Sequence, residues 1–554
     1  MCYKMNTILN FKYVTLAVLM SVSLISCSDD LLVESPPNII TADNLFTDAD
    51  GFETALNGAY ALVRLDREGL SGVNDLRAEV YMTGTDNLVT NHRSGGYSRM
   101  AMDWEERNNP LYGNFERHFN WLYQVVNATN TIINRAESAQ ERLGDDGPRI
   151  AAEAHFLRAW AYRYLAYMWG DVPIKLDEST GSGIRTDWER APVDEVWRQV
   201  RADLLIAEAT LPVEPAIPGK PGRGAAQHYL SEIALVLDEP DEALEWADKC
   251  INTPAYQLVT ERYGVMAGEP GVPFMDMFID GNSNRGEGNT EALWVWQWEN
   301  LVIGGGQNLM RRYHISRYND IKISGITPLE ITQDRGGRPR ARMSISQWAL
   351  GIYEPEDDRG SEFAIRKFFV LKDADENDTG VADDLPTGLS FGDTIFLSAE
   401  EPITSSSRNR RDWPFSRKWD SADPLDINGA AQYDDQAYLR LGETYLLKAE
   451  AELKLGDTEA AAETINVLRE RANASEVSAD EIDIDYILDE RSRELVVEEQ
   501  RRFTLLRTDK WLERTRLYNT NGGSKITERD RLFPIPQSVI DANLTRDMAQ
   551  NPGY

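Results

Sequence analysis

Ile150-Ala151-Ala152-Glu153-Ala154-His155-Phe156-Leu157-Arg158-Ala159-Trp160-Ala161-Tyr162-Arg163-Tyr164-Leu165-Ala166-Tyr167-Met168-Trp169 is followed by Gly170-Asp171-Val172-Pro173. Ala154, Leu157, Ala161, Leu165 and Met168 recur at three- and four-residue spacing, which predicts one apolar face of a helix. Gly170 stops that helix and Pro173 prevents its resumption. Outward from it, Val193 to Leu211 reads as a second amphipathic helix ended by Pro212. Gly224 to Leu237 and Asp241 to Asn252 read as a helical hairpin turning at Glu239-Pro240. Asp435 to Leu455 is expected to be a helix with Tyr438, Leu441, Tyr445 and Ala449 on one face and Leu439, Leu446 and Leu453 beside it. Gly456-Asp457 makes the turn into a helix from Thr458 to Ala472, with Ala461, Ile465 and Leu468 inward.

Paired helices with Ala or Gly at the contacts and Gly-Asp turns are tetratricopeptide-like, though the repeat is degenerate and irregularly spaced. Such hairpins stack into a curved wall. Between about Pro254 and Asp434, Gly, Pro, Asn and Asp become frequent, and Leu293 to Trp298 alternates. The fold class expected is mainly α: a scaffold of helical hairpins with a large loop-rich half containing short β elements. Long irregular segments on a rigid scaffold are where binding usually resides.

The net charge is −33. That argues against nucleic acid, whose phosphates reward clustered Lys and Arg, and against flat adsorption to anionic lipid. The 554 residues hold three cysteines. Cys27 closes a basic-then-apolar leader with Lys4, Lys12 and the run Val14 to Ile25. That run is too short to span a bilayer. Residues 1–26 are therefore expected to be a lipoprotein signal peptide, with Cys27 acylated. Removing them takes away two lysines and no acid, so −33 becomes −35. Residues 27–40, with Asp29, Asp30, Glu34, Pro36 and Pro37, read as a tether reaching roughly 45 Å from the lipid. Cys250 has no partner and is expected to be a small buried group.

The chain resembles the SusD/RagB family of outer-membrane nutrient-binding lipoproteins. The resemblance rests on Ala152 to Tyr162 with Trp169 to Pro173, Asn289 to Trp294, Tyr438 to Ala451 and Ile465 to Ala472. It continues through Asp489 to Leu495, Arg501-Arg502-Phe503, Leu532 to Pro536 and Gln550 to Tyr554, all in family order. It implies a helical region over 41–270 and a second region over 271–554 carrying binding loops. It implies a non-catalytic surface protein, needing no cofactor, that binds oligosaccharides and serves as a lid over a SusC-like TonB-dependent transporter. Some members take peptides instead. His155 stands where the family commonly has Arg or Tyr.

Glycans need flat apolar faces for sugar C–H surfaces and planar polar groups for paired hydroxyls. Trp294, Trp296 and Trp298 would share one face of a strand, either towards ligand or packed on the helices. Gly304-Gly305-Gly306 fits a surface loop, and by family analogy the residues after it, Asn308, Arg312, Tyr313 and His314, are candidate contacts. A second candidate stretch, also by analogy, holds Tyr81, Asn91, His92, Arg93 and Tyr97. Trp296 and Trp348 complete the set, while Trp104, Tyr112, Trp121 and Tyr123 are expected to pack helices.

Asp373-x-Asp375-x-Asn377 with Asp383-Asp384 imitates a calcium loop, but Asp378 stands at the sixth position and Asp384 at the twelfth. A solvated acidic loop is the expectation. Glu490, Glu494 and Glu498 line one helix face beside Arg491, Arg493, Arg501 and Arg502, which reads as a structural ion network. A surface glycoside hydrolase is the remaining alternative. It would need two facing carboxylates, and no pair can be chosen among so many acids. The five histidines show no metal spacing.

Overall fold

A computed structural model describes residues 42–91, 96–179, 185–371, 385–398 and 411–554. The leader, Cys27, the tether, His92, Arg93 and the calcium-like loop lie outside the described residues. The chain divides into a small unit ending at Gly51 and a large unit from Phe52 to Tyr554.

Five of the helices in the large unit's first half form a stack: α1 (Gly113–Ser138), α2 (Asp146–Trp169), α3 (Val193–Thr210), α4 (Arg223–Val236) and α5 (Pro240–Ile251). Each packs on the next in chain order, α1 on α2 through α4 on α5. The stack then leaves chain order: α5 packs on α6 (Leu441–Lys454), which packs on α7 (Thr458–Arg471) and α8 (Ile484–Leu495). The tetratricopeptide-like hairpins are thus one row, interrupted in sequence but not in space. Pro240 opens α5 where its missing N–H costs nothing. Asp457 caps α7 by accepting from the Ala460 N–H at 3.0 Å.

Helix α2 departs from the one-faced pattern its spacing predicts. Twenty of its residues are buried, because α1 and α3 flank it and the Trp294 ring packs edge-on to Phe156. Its polar residues survive burial by pairing. Arg158 donates from Nε and Nη2 to the two oxygens of Asp203 on α3 at 2.9 and 2.7 Å, and His155 Nδ1 meets the same carboxylate at 2.7 Å. Arg163 forks onto Glu232 of α4 at 2.7 Å twice. Gly170 ends the helix at φ +70°, and Leu532 sits where a Cβ would project.

Eight short strands make four two-stranded antiparallel ladders among the described residues. They are β1 (Leu88–Thr90) with β3 (Met343–Ile345), β2 (Ala292–Trp296) with β8 (Gln436–Arg440), β4 (Ile365–Arg366) with β7 (Phe415–Ser416), and β5 (Phe368–Val370) with β6 (Thr394–Phe396). β8 corrects one expectation. Residues 436–440 are strand, and the helix begins only at Leu441. Pairing with β2 and the stacking of Tyr438 on Trp296, centroids 3.7 Å apart, outweigh the helical spacing.

Glu490 and Glu494 on α8 form an ion network as expected, whereas Glu498 lies beyond the helix end at Leu495 and pairs with Lys418 and Arg440. Glu494 accepts from Arg440 Nη1 at 2.5 Å, from Arg359 Nη1 at 3.0 Å and from Arg471. Glu490 takes Arg469 and Arg493 at 3.0 and 2.8 Å, and Arg491 meets Glu499 at 2.6 Å. Burial alone would raise the Glu494 carboxyl; Arg471, Arg440 and Arg359 hold it well below the usual carboxylate range. Arg502 stands apart. It donates to the Asp530 carbonyl at 2.6 Å and lies 4.1 Å from the Trp511 ring and 4.6 Å from that of Phe533. Cys250 is buried against the Gly224 carbonyl, and burial pushes its thiol up to about 12.

Candidate functional site

The loop-rich half holds a cavity of about 800 Å³. Its walls come from 262–280, 332–334, Phe363 and 417–427, four segments distant in sequence. Strands β4 and β7 bring two of them together, and Arg366 on β4 ties them by donating to Asp420 Oδ2 at 2.6 Å. Arg417 Nε reaches the same oxygen at 3.0 Å. Phe278 and Phe363 are half-buried in the wall, with Met266, Ile279 and Ile427 beside them.

Asp276 supplies the most specific polar group. It ends the short helix Pro273–Asp276 and is 1% exposed. Its Oδ2 accepts from Arg262 Nε at 2.8 Å and from the Tyr263 N–H at 2.9 Å, while Oδ1 has no partner. That oxygen is itself buried, so Asp276 acts by fixing Arg262 and the Tyr263 backbone at the cavity wall. Exposed Gln333, Asp334 and Asp280 add planar polar groups, as hydroxyl-rich ligands require. Among the described residues no cluster of three His, Cys, Asp or Glu could hold a metal ion.

Most residues singled out from sequence lie elsewhere, and burial explains why. Tyr81 is fully enclosed, its hydroxyl donating to Asp66 Oδ2 at 2.6 Å. Tyr97 is also 0% exposed, with His118 Nδ1 at 3.1 Å. Asn91 binds Ser344 Oγ behind the β1–β3 ladder. Trp294, Trp296 and Trp298 pack together and against α2 rather than facing a ligand. Tyr313 has no exposed surface. Its hydroxyl accepts from the Leu76 N–H at 3.1 Å. His314 Nε2 accepts from the Ser416 N–H at 3.0 Å, and Asn308 is fully buried beside Arg67 and Gln432. These side chains are buried as core and joints. Trp348 is half-buried, stacked on Tyr518 at 4.4 Å with the Arg514 guanidinium 4.8 Å away. Arg312 is 7% exposed, and among the described residues its guanidinium has no hydrogen-bond or ion-pair partner.

The glycine loop is at the surface as expected. Gly304 and Gly306 take φ of +80° and +68°, and Leu301 and Ile303 at its tip are almost wholly exposed. No signal in the sequence marked Asp276, Phe278, Phe363 or Arg417. Only the excess of Gly, Pro and Asp around them pointed to the right half of the chain.

The stacked hairpins and loop-built cleft define a helical scaffold carrying a ligand-sized cavity, a class to which known proteins can be compared. The SusD family model matches residues 389–554, and a second model described as "Starch-binding associating with outer membrane" matches 68–235. The chain belongs to the SusD/RagB family. It is 24% identical to SusD-like protein P2 of Formosa agariphila over 98% of this chain and 100% of that protein. It is 33% identical to the starch-binding protein SusD of Bacteroides thetaiotaomicron over 25% of each. A laminarin-binding SusD-like protein of known structure shares the fold at TM-score 0.67, with 17% identity, covering 91% of this chain and 99% of that one.

Proposed function

We propose that this chain is a non-catalytic glycan-binding lipoprotein of the outer membrane that captures oligosaccharides in the loop-rich half. The observation that carries the reading is the 800 Å³ cavity, which sets half-buried Phe278 and Phe363 beside exposed Gln333 and Asp334 and the Arg417–Asp420 pair. Aromatic faces suit the C–H side of a sugar, and fixed planar acceptors and donors suit its hydroxyls. The starch-binding and laminarin-binding relatives support the same ligand class.

The second model's description supports an outer-membrane location. Among the described residues no helix is long and apolar enough to cross a membrane. In this reading Cys27 carries the anchor and residues 27–40 lift the protein off the membrane. The hairpin row faces a SusC-like transporter, to which the protein delivers its ligand as a lid. Titration of the protein with a panel of oligosaccharides, followed by chromatography of the recovered sugar, tests the reading. Saturable binding with the sugar unchanged supports it, and shortened sugar refutes it.

A further inference from the structure

Arg312 occupies the short helix Met310–His314 and is 7% exposed. Its Nε is buried without a partner, and among the described residues no carboxylate bridges it and no acceptor takes its other nitrogens. The groups around it are cations. Arg340 N–H donates to the Arg312 carbonyl at 2.8 Å, and Arg342 N–H to that of Tyr313 at 2.8 Å, so both arginines are strapped to the short helix. Arg340 also has no ion-pair partner among the described residues, and its Nε is buried without a bond. Ala341 between them holds φ +47°, a left-handed conformation rare for a residue with a Cβ.

Among the described residues no neighbouring acid bonds the Arg312 guanidinium. Asp320 bridges Arg317 at 2.5 Å. Glu79 is fully buried and accepts from Ser98 Oγ, and Arg342 lies over the Tyr313 ring while donating to Asn74 Oδ1 at 2.8 Å. Arg311 donates to the carbonyls of Gly336 and Gly429 at 2.6 and 2.8 Å, with only its Nε left without a partner among the described residues. Burial first, and then Arg340, lowers the Arg312 guanidinium to about 10.

A buried cation facing cations is costly to fold, and proteins of net charge −33 have carboxylates to spare for it. Backbone strain that persists clusters at active sites and ligand clamps. We infer that Arg312, with Arg340, is a binding site for the anionic substituent of an acidic saccharide, a carboxylate or a sulfate ester. Both substituents offer the paired oxygens that a guanidinium fork takes in two parallel hydrogen bonds. The segment from Thr332 to Arg342 supplies both this cluster and part of the cavity wall, so one loop joins the acidic-group site to the sugar site. The inference rests on the glycan reading above and narrows it.

The test is affinity electrophoresis of the complete chain through gels holding laminarin, soluble starch, polygalacturonate or dextran sulfate. It compares the parent with Arg312→Met, which keeps the apolar stem, and Arg312→Lys, which keeps the charge without the fork. The parent is expected to be retarded by at least one acidic polymer. That affinity should fall at least tenfold in Arg312→Met, with partial recovery in Arg312→Lys. Retardation by polygalacturonate alone identifies a carboxylate, and by dextran sulfate alone a sulfate ester. Arg312→Met should also melt at or above the parent temperature, since it removes an unpaired buried charge. Binding of neutral polymers only, with Arg312→Met unchanged, overturns the inference and leaves glycan capture standing. Binding of no polymer overturns both. Acidic binding unaffected by Arg312→Met, or a clearly lower melting temperature in that variant, also overturns it.

Discussion

Trp296 lies flat on Tyr438, with ring centroids 3.7 Å apart and planes 8° from parallel. The pair joins β2 to β8 at the point where the loop-rich half meets the hairpin row, and the Arg67 guanidinium lies 5.6 and 5.4 Å from the two rings. Trp296 is 1% exposed, so its truncation opens a cavity. Trp296→Ala is expected to cost about 3–5 kcal/mol of stability. A denaturant midpoint equal to the parent's would contradict this placement.

Glu494 is the hub of the buried ion network. Its loss leaves Arg440, Arg471 and Arg359 facing one another with less negative charge between them. Glu494→Gln should destabilise the fold by about 3–5 kcal/mol, the range for breaking a buried pair on one side. The urea midpoint should fall while the slope of the transition stays constant.

Two buried carboxyls give opposite pH signatures. Burial would raise Glu232, but Arg163 lowers it to about 2. It therefore contributes stability above its unfolded value that is lost as pH falls from 4.5 towards 2, up to about 3 kcal/mol. Glu79 is raised by burial to about 7. It keeps its proton in the native state after the unfolded chain has lost it, so its contribution declines as pH rises from 4.5 through 7. Melting curves at pH 3, 5 and 8 check both. Glu232→Gln should flatten the loss between pH 5 and 3, and Glu79→Gln should gain most at pH 8.

Phe363 and Arg417 line the cavity and are only half-buried, Phe363 packing at the edge of the Phe274–Met277 core cluster. Phe363→Ala and Arg417→Ala should each weaken oligosaccharide binding by about 1–3 kcal/mol while leaving the melting temperature within a few degrees of the parent. Calorimetric titrations of both that match the parent would move the site elsewhere.

Cys27→Ala should leave the protein unacylated. Its partition into the detergent phase is then expected to vanish, and unchanged partition would refute the anchor.

The hairpins were legible in the sequence because α3 to α5 and α6 to α7 carry their own spacing and stops, such as Gly456-Asp457 and Pro240. The ion network was legible too, from Glu490 and Glu494 set among arginines on one helix. The start of α6 was not, because Tyr438 fits a helical face and only its partner on β2 makes it strand. The site was least legible. Tyr97 and Tyr313 look loop-borne beside glycines and polar residues, yet tertiary packing encloses them. Asp276, Phe363 and Arg417 become one wall only after long-range pairing through β4 and β7.

The central claim is that the chain holds a glycan in its loop-rich half and leaves it intact. Isothermal titration of the protein with a panel of oligosaccharides, with each sugar's chain length checked afterwards, tests it most directly. The account predicts saturable heat for at least one sugar, loss of that heat in Phe363→Ala, and unaltered chain length. Heat from none of them, or shortened products, would contradict it.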